Sequence, residues 1–332
     1  MVKINIPIKD NSYDVIISRG ILNEIDSYID LDRQIVIITD DFIPKVYLNA
    51  IKEKMLNPLI FEIPQGESSK SMEIAYSIID EMVDSKITRK CLVIALGGGV
   101  VGDLAGFISS IYMRGVDFIQ IPTTLLSQID SSIGGKVGIN SSNMKNSIGS
   151  FLQPKIVLID PNTLKTLAQR EIHNGIGEMI KYGLIADKSL FIDICENNIF
   201  SNIEDYIEKC IKIKKDLIVK DVFDNGERQL LNFGHTIGHA VEQFSKYNLL
   251  HGEAVSIGMA KMAINKPYYS KLVDVLHKYN LPYDYDYDLE TVYNYIKTDK
   301  KASKNTINLV LVDEVGKGYM KNISINKIKE YL

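Results

Sequence analysis

Cysteine is scarce in this sequence, and its scarcity excludes a disulfide-stapled scaffold. The 332 residues contain only three cysteines, Cys91, Cys195 and Cys210, and no CxxC or other paired spacing. Cys91 opens an apolar run, which indicates a core position, and the other two lie in helical patterns. Three thiols in so long a chain are typical of a reducing compartment without structural disulfides, so we expect a cytoplasmic protein.

Long apolar runs, a leader peptide and long basic runs are also missing. No window approaches the roughly 18 apolar residues that a membrane-spanning helix needs, so we expect no membrane segment. The N-terminal stretch MVKINIPIKD alternates like a strand and carries no charged-then-apolar leader. The formal net charge is -4. This charge argues against a nucleic-acid partner, although local basic clusters could still bind a polyanionic small molecule.

What is present indicates a globular protein with two domains. Hydrophobic residues make up 45% of the chain and charged residues 24%, which are ordinary globular values. A chain of this length exceeds the size at which one hydrophobic core usually stops growing. The sequence pattern changes near residue 161, so we predict one domain over residues 1–161 and another over 162–332.

The first domain alternates short apolar runs with helical stretches. The predicted strands cover residues 34–39, 91–96, 118–122 and 156–159, and a helix over 69–83 follows Ser68 or Ser69 as its cap. This alternation predicts a Rossmann-like α/β fold with a mostly parallel sheet. Such sheets bind ligands at the carboxyl ends of their strands, where Gly, Thr and Asp residues collect in this chain.

The second domain is predicted to be mainly α-helical. Apolar residues there recur at spacings of three and four, as in the stretches 203–211 and 255–262. One strand is predicted near the end, over residues 306–312. The alternating acidic and aromatic stretch YDYDYD at 283–288 is interpreted as a solvated turn.

A glycine-rich stretch, GGGVVG at residues 97–102, follows a predicted strand and precedes a predicted helix. Glycines in that position let backbone N–H groups approach a pyrophosphate. The pattern by itself also occurs in tight turns without a ligand. The stretch 66–70 and the Thr123-Thr124 pair fit the same nucleotide. The candidate ribose acid, Asp40, precedes the glycines, which argues against an ordinary dehydrogenase.

Three of the five histidines lie close together in the second half: His235, His239 and His251. The first two are one helical turn apart, so both could bind one metal, as in HExxH sites. Position 236 is threonine, however, so the general-base glutamate of that motif is absent. An upstream carboxylate such as Glu178 could be a further ligand. The spacing leaves open whether both neighbouring histidines bind the metal.

Basic residues near these motifs suggest an anionic substrate. Arg228 lies four residues before Asn232 and seven before His235, so the three can share one helix face. A guanidinium beside a metal suits a carboxylate or a phosphate. The remaining members of the set are Arg114, Lys136, Lys145, Lys181, Lys214, Lys300 and Lys301.

Several long motifs, in order, resemble the 3-dehydroquinate synthase family of the sugar-phosphate cyclase superfamily. They are ALGGGVVGDLAGFISSIYMRG, IQIPTTLLSQIDSSIGGKVGIN, KNSIGSFLQP, REIHNGIGEMIKYGLI, ERQLLNFGHTIGHAVE, HGEAVSIGM and TDKK. The resemblance covers residues 35–315, and the first thirty residues match only loosely. Departures from the family pattern occur in DVFDNGER, which is less acidic than usual, and near NKPYYSKLV, which looks shortened; neither removes a catalytic residue.

The resemblance implies a set of site residues, with zinc or cobalt held by Glu178, His235 and His251. The residues it implies for NAD are Asp40, Glu67, Ser68, Ser69, Lys70, Gly98, Gly99, Val100, Val101, Gly102, Asp103, Thr123, Thr124, Lys136, Lys145, Thr163, Leu164, Lys165 and Thr166. Those it implies for substrate and catalysis are Asp130, Lys136, Asn146, Lys181, Lys214, Arg228, Asn232, His239, Arg114 (from the partner subunit of a homodimer) and one or both of Lys300 and Lys301. Glu242 receives no chemistry and is interpreted as structural.

The implied reaction belongs to the shikimate pathway of aromatic amino acid biosynthesis. It converts 3-deoxy-D-arabino-heptulosonate 7-phosphate to 3-dehydroquinate and phosphate. The implied steps are transient oxidation by NAD, phosphate elimination, reduction, ring opening and intramolecular aldol closure. The alternatives are another sugar-phosphate cyclase, of the inosose or valiolone synthase type, and a metal-dependent dehydrogenase of the glycerol type. A binding-only module is disfavoured because all the motif residues are present.

Overall fold

The computed structural model describes residues 1–141, 144–298 and 306–332. The chain divides into two compact units, Met1–Leu167 and Ala168–Leu332. The sequence pattern placed this division at residue 161, at the start of a 3-10 helix over Pro161–Thr166. In the structure that helix belongs to the first unit, where the Gln128 amide donates a hydrogen bond to the Thr163 hydroxyl at 3.0 Å.

The first unit is built on a seven-stranded sheet in the order β1-β2-β9-β6-β5-β3-β4. Only the β1–β2 pair is antiparallel; the other pairs are parallel. A separate antiparallel hairpin, β7–β8, which the sequence did not predict, lies outside this sheet. The strands are β1 (Val2–Ile6), β2 (Tyr13–Ile17), β3 (Ile35–Asp40), β4 (Leu59–Ile63), β5 (Leu92–Gly97), β6 (Asp117–Pro122), β7 (Lys136–Ile139), β8 (Ile148–Phe151) and β9 (Ile156–Ile159).

Three helices of this unit are α1 (Lys45–Lys52), α2 (Met72–Asp84) and α3 (Gly99–Ile111). The central strands are buried on both faces, with one apolar cluster around α2 and α3 and another around α1. This explains why the strands are continuous apolar runs without alternation. The predicted helix over 69–83 exists, but its predicted cap is wrong. Ser71 is the N-cap and accepts the Ile74 N–H, whereas Ser68 and Ser69 lie in a short 3-10 helix.

The second unit is mainly helical, and the predicted strand near its end is one half of a hairpin. Residues 283–288 have no regular secondary structure, in agreement with the prediction of a turn. No helix in the described ranges is long and apolar enough to cross a membrane. The elements are α4 (Gln169–Ala186), α5 (Lys188–Glu196), α6 (Ile203–Lys220), α7 (His235–Phe244), α8 (His251–Ala263), α9 (Tyr269–Lys278), α10 (Leu289–Thr298), β10 (Thr306–Glu314) and β11 (Lys317–Ser324).

Candidate active site

In the first unit, the ends of β3 and β5 lie side by side where the strand order reverses. The chain passes from β3 to β4 on one side and then places β5 on the other side. Ligands of open α/β sheets bind at such a switch point, beyond the carboxyl ends of the strands. Asp40 ends β3 and Gly97 ends β5. Thr123 follows β6, and its N–H donates to the Gly97 carbonyl at 3.0 Å.

The glycine loop opens α3 at this edge, and its narrow surroundings explain the glycines. A Cβ on Gly98 would lie 3.1 Å from Thr124 Cγ2, and one on Gly99 would lie 3.1 Å from Ser131 Oγ. Gly98 is the N-cap of α3, and no side chain accepts a hydrogen bond from the first turn of this thirteen-residue helix. The N–H groups of that turn therefore point out of the helix end and can bind a ligand. The buried Thr123 hydroxyl has no hydrogen-bond partner among the described residues. This cradle fits the pyrophosphate of a dinucleotide.

A buried lysine near the glycine loop contacts several of the residues that were predicted to bind NAD or substrate. Lys70 is 4% exposed, and its Nζ lies 2.7 Å from Asp103 Oδ2 and also contacts Asn146 Oδ1. Glu67 Oε1 is 3.5 Å from the same nitrogen. Burial would lower the pKa of Lys70, but the carboxylates of Asp103 and Glu67 raise it, so the lysine is charged. Asn140, which the sequence analysis missed, donates to Glu67 Oε1 at 2.8 Å and accepts from the Asn146 N–H at 2.8 Å.

The other predicted residues of this unit lie at separate places. Asp40 accepts a hydrogen bond from the Phe42 N–H at 3.0 Å, and burial raises the pKa of its carboxyl. Thr166 Oγ1 lies 2.9 Å from the Tyr47 hydroxyl. Asp130 lies in a π-helical turn over Ser127–Ser131. Lys136 begins β7 and Arg114 follows α3, and both are exposed; Lys145 is half-buried in the turn before β8.

In the second unit, closely packed glycines bring three helices together. A Cβ on Gly252 of α8 would lie 1.9 Å from the Asn174 carbonyl oxygen of α4. A Cβ on Gly258 of α8 would lie 1.9 Å from the Gly234 carbonyl at the start of α7. No side chain fits at either contact, so the backbones approach as closely as glycine allows. Glu178, His235 and His251 come from these three helices.

The side chains of those three residues meet. The Glu178 carboxylate is completely buried, and its Oε1 lies 3.3 Å from Nε2 of both His235 and His251. Neither Glu178 oxygen has a hydrogen-bond partner within the described part of the chain, although Lys181 Nζ contacts Oε2. His235 Nδ1 lies 3.1 Å from the Phe233 carbonyl, which can only accept, so Nδ1–H donates and Nε2 carries the lone pair. A carboxylate and two imidazoles with ring nitrogens turned towards it fit a divalent metal.

The protonation of the three groups reflects the buried carboxylate. Burial alone would raise the pKa of Glu178, but the Lys181 ammonium and the His251 imidazole hold it at about 2. Burial, together with the charge of Lys181, keeps the pKa of His235 well below its usual range. Burial would lower the pKa of His251, but Glu178 and Glu242 raise it to about 10. The carboxylates of Glu178 and Glu242 therefore favour a positive charge on the group that lies between them.

His239, the other histidine of α7, is the exposed member of the cluster. Its ring centroid lies 5.1 Å from that of His235 and 5.6 Å from that of His251. Ring nitrogens of all three histidines lie within 4.8 Å of one another. The three imidazoles thus line one site, with Glu178 beneath His235 and His251.

One face of α4 also supports the start of α8. Arg170, Asn174 and Glu178 follow one another at intervals of four residues. The Arg170 guanidinium donates to both carboxylate oxygens of Glu253 at 2.7 Å. The Asn174 side-chain oxygen accepts the Gly252 N–H at 2.6 Å. These contacts flank His251 and hold its backbone against α4, and no motif in the sequence marks them.

The predicted basic residues of this unit are largely buried. Lys181 and Lys214 are 1% and 5% exposed, and Arg228 is 3% exposed. The Arg228 guanidinium donates to the Val222 carbonyl at 2.7 Å. Asn232 donates to the Gln229 carbonyl at 3.0 Å. Lys300 and Lys301 lie outside the described residues.

Comparison with known proteins gives this geometry a family. Two family models match the chain, 3-dehydroquinate synthase N-terminal over residues 60–174 and 3-dehydroquinate synthase C-terminal over residues 175–302. The chain belongs to the 3-dehydroquinate synthase family. The 3-dehydroquinate synthase of Streptococcus thermophilus (strain CNRZ 1066) is 40% identical over 352 residues, covering 99% of this chain and 99% of the relative.

Solved sugar-phosphate cyclases share the fold of this family member. One is 2-deoxy-scyllo-inosose synthase in complex with carbaglucose-6-phosphate, NAD+ and Co2+; its TM-score is 0.88 at 24% identity, covering 99% of this chain and 98% of that one. Another is 2-epi-5-epi-valiolone synthase from Streptomyces hygroscopicus subsp. jinggangensis with NAD+ and Zn2+ bound. Its TM-score is 0.85 at 26% identity, covering 98% and 97% of the two chains. The predicted fold class and family are confirmed.

Proposed function

We propose that the protein is a 3-dehydroquinate synthase, an NAD- and metal-dependent lyase that eliminates phosphate from 3-deoxy-D-arabino-heptulosonate 7-phosphate. The observation that carries the proposal is full-length similarity at 40% identity to a curated enzyme of that name. The convergence of Glu178, His235 and His251 supports it independently, because these three side chains could hold the divalent metal that the reaction needs.

Glu178, His235 and His251 are the proposed metal ligands. This choice leaves His239, the exposed member, to face the substrate. Glu178 contributes a deprotonated carboxylate and His235 a neutral imidazole, the forms that bind metals. When bound, zinc or cobalt would favour ionisation of a substrate hydroxyl and NAD would accept and return a hydride.

For NAD, the proposed site is the carboxyl edge of the sheet in the first unit. The α3 N-terminus would bind the pyrophosphate, and Asp40 at the end of β3 would accept from a ribose hydroxyl. Lys70 and Asp103 hold the loop in place through their ion pair. The remaining residues proposed for NAD are Glu67, Ser68, Ser69, Thr123, Thr124, Lys136, Lys145 and 163–166.

The proposed substrate residues carry the charges that an anionic sugar phosphate requires. Lys181, Lys214 and Arg228 are cations buried in the second unit, so water screens their charge poorly and they would bind phosphate and carboxylate strongly. Their task is to fix the phosphate while its bond to carbon breaks and to stabilise the charge that it gains. Asp130, Lys136, Asn146, Asn232 and His239 complete the proposed set, with Lys300, Lys301 and Arg114.

One assay separates the proposed function from its alternatives. The protein would be given the heptulosonate phosphate, NAD and zinc, and released phosphate and net NADH would be followed together. A 3-dehydroquinate synthase releases phosphate with no net NADH, whereas a glycerol-type dehydrogenase forms NADH. Turnover of a different sugar phosphate, without turnover of this one, would favour an inosose or valiolone synthase. Absence of turnover with all of them would favour a binding-only module.

We also propose a cytoplasmic homodimer. None of the cysteines Cys91, Cys195 and Cys210 forms a disulfide, which suits a reducing compartment. Arg114 is exposed after α3, where a partner subunit's site could use it. Sedimentation would test the dimer. If Arg114 acts across subunits, mixing Arg114→Ala with His251→Ala protein would restore part of the activity, because one mixed site retains both residues.

A further inference from the structure

His251 lies between two carboxylates, and only one of them belongs to the proposed metal site. Its Nε2 is 3.3 Å from Glu178 Oε1, and its Nδ1 is 3.7 Å from Glu242 Oε2. An imidazole that binds a metal through Nε2 must carry its proton on Nδ1. The Glu242 carboxylate is close enough to attract that proton by its charge, although 3.7 Å is longer than a hydrogen bond.

The Glu242 carboxylate is buried beside His251. It is only 6% exposed, and a buried carboxylate is costly unless a cation or hydrogen-bond donors compensate. It lies on the same helix as His235, seven residues on and therefore on the same face. Close contacts between α7 and α8, where Gly238 would place a Cβ 2.8 Å from the Ala254 carbonyl, hold this face against His251.

We propose that Glu242 is a positioning residue for the metal. Its negative charge attracts the Nδ1 proton of His251, favours the tautomer that presents Nε2, and makes that nitrogen a stronger ligand. His235 receives the same tautomer from a neutral acceptor, the Phe233 carbonyl. The two histidine ligands are thus oriented alike, one by a carbonyl and one by a carboxylate. This inference rests on the proposed metal ligands.

Metal affinity, measured without substrate, tests the inference. Purified protein would be stripped with a chelator, and zinc binding would be measured in competition with a chromogenic chelator. Carboxylate partners of metal-bound histidines are worth about 10–100-fold in affinity. We expect Glu242→Ala to bind zinc about 10–100-fold more weakly. Glu242→Gln, which keeps an acceptor oxygen of the same size but no charge, should bind with intermediate affinity.

Two further measurements separate positioning from folding. Gln243→Ala, an exposed neighbour on the same helix, should bind zinc like the original protein. The absorption bands of bound Co2+ should shift in Glu242→Gln, because the ligand field of His251 changes even when the fold is intact. If Glu242→Ala fails to fold, Glu242→Gln decides the question.

The inference and the proposed function fail in different ways. Unchanged zinc affinity and unchanged Co2+ bands in both Glu242 variants, with weak binding in His251→Ala, would overturn the role of Glu242 alone. Unchanged zinc affinity in His251→Ala would overturn the proposed ligand set, and the role of Glu242 with it.

Discussion

Each unit of this protein contains a buried lysine that is paired with a carboxylate. Lys70 contacts Asp103 in the first unit, and Lys181 contacts Glu178 in the second. Such pairs contribute little net stability, because removing two charges from water costs about as much as their attraction returns. Apolar residues would fill the same space at lower cost. The presence of these buried charged pairs is therefore best explained by the ligands that they are proposed to bind.

His251 and Arg228 have different proposed roles, and metal content separates them. His251→Ala should lose bound metal and activity together, because it removes one of three ligands. Arg228→Ala should keep its metal and lose activity, because the guanidinium is proposed to bind the substrate. Metal would be quantified by mass spectrometry beside the phosphate-release assay. Equal metal loss in both variants would contradict the assigned roles.

Two of the free cysteines should be slow to react. Burial raises the pKa of Cys91 and of Cys195 to about 11. A raised pKa keeps the thiol protonated, so only about 0.1% is thiolate at pH 8, against roughly a quarter for an unperturbed thiol. We expect alkylation at pH 8 to be at least about 100-fold slower than in urea-unfolded protein. Because the thiolate is the reactive form, the labelling rate of the folded protein should rise about tenfold per pH unit. Peptide mass spectrometry at pH 7, 8 and 9 would measure this rate. Folded and unfolded protein that are labelled at similar rates would contradict the prediction.

The sequence predicts a site residue where the residue belongs to a motif. It does not predict one whose role depends on a contact with a residue distant in sequence. The histidine cluster followed from three close histidines, but helical spacing could not divide them into ligand and substrate contacts. Asn140 and Asn174 act through side-chain hydrogen bonds to residues distant in sequence. No local pattern marks such an amide. Glu242 has no recognisable role in the sequence, because His251, which it faces, lies on another helix.

At the scale of elements, glycine placement determines how the helices of the second unit meet. Gly252 and Gly258 on α8 are separated by six residues and face α4 and α7 respectively. A metal site needs its ligands within a few ångströms, so the helices that carry them must approach closely. The two glycines allow that approach on both sides of α8.

Replacing Gly252 with alanine tests this packing. The new Cβ would lie 1.9 Å from the Asn174 carbonyl, so α8 must move away from α4. We expect a loss of about 1–3 kcal/mol in the free energy of unfolding, typical of overpacking, together with weaker zinc binding. Urea denaturation and the chelator competition would measure both.

Lys261→Ala is the matched control on the same helix. It removes an ion pair with the exposed Asp284 and should change stability by less than about 1 kcal/mol. A Gly252→Ala protein as stable and as zinc-bound as this control would show that the close contact is dispensable.

The strands and helices themselves were well predicted where burial makes the pattern continuous. β3, β5, β6 and β9 each match a predicted apolar run to within about one residue. The hairpin β7–β8 was missed, because it consists of two short strands rich in glycine and polar residues. The helix cap was misplaced because three serines, at positions 68, 69 and 71, offer nearly equivalent signals.

For the whole molecule, the division into two units predicts that metal and NAD can be removed separately. All proposed NAD residues lie within Met1–Leu167, and all proposed metal ligands lie within Ala168–Leu332. Stripping the metal with a chelator should abolish turnover while NAD still binds, and added zinc or cobalt should restore activity. Calorimetric titration of NAD before and after stripping would measure this. An NAD affinity that falls in step with metal content would argue against independent sites.

The sequence by itself determined the family, the α/β and helical halves, and the inventory of side chains, because buried strands, amphipathic helices and long motifs are local features. Only the tertiary structure decided which of those side chains meet. It placed Glu178 against His235 and His251, Lys70 against Asp103, and Glu242 behind His251. These contacts depend on how closely helices distant in sequence can pack. Glycine contacts and buried charges determine this packing distance, and no local sequence pattern predicts them.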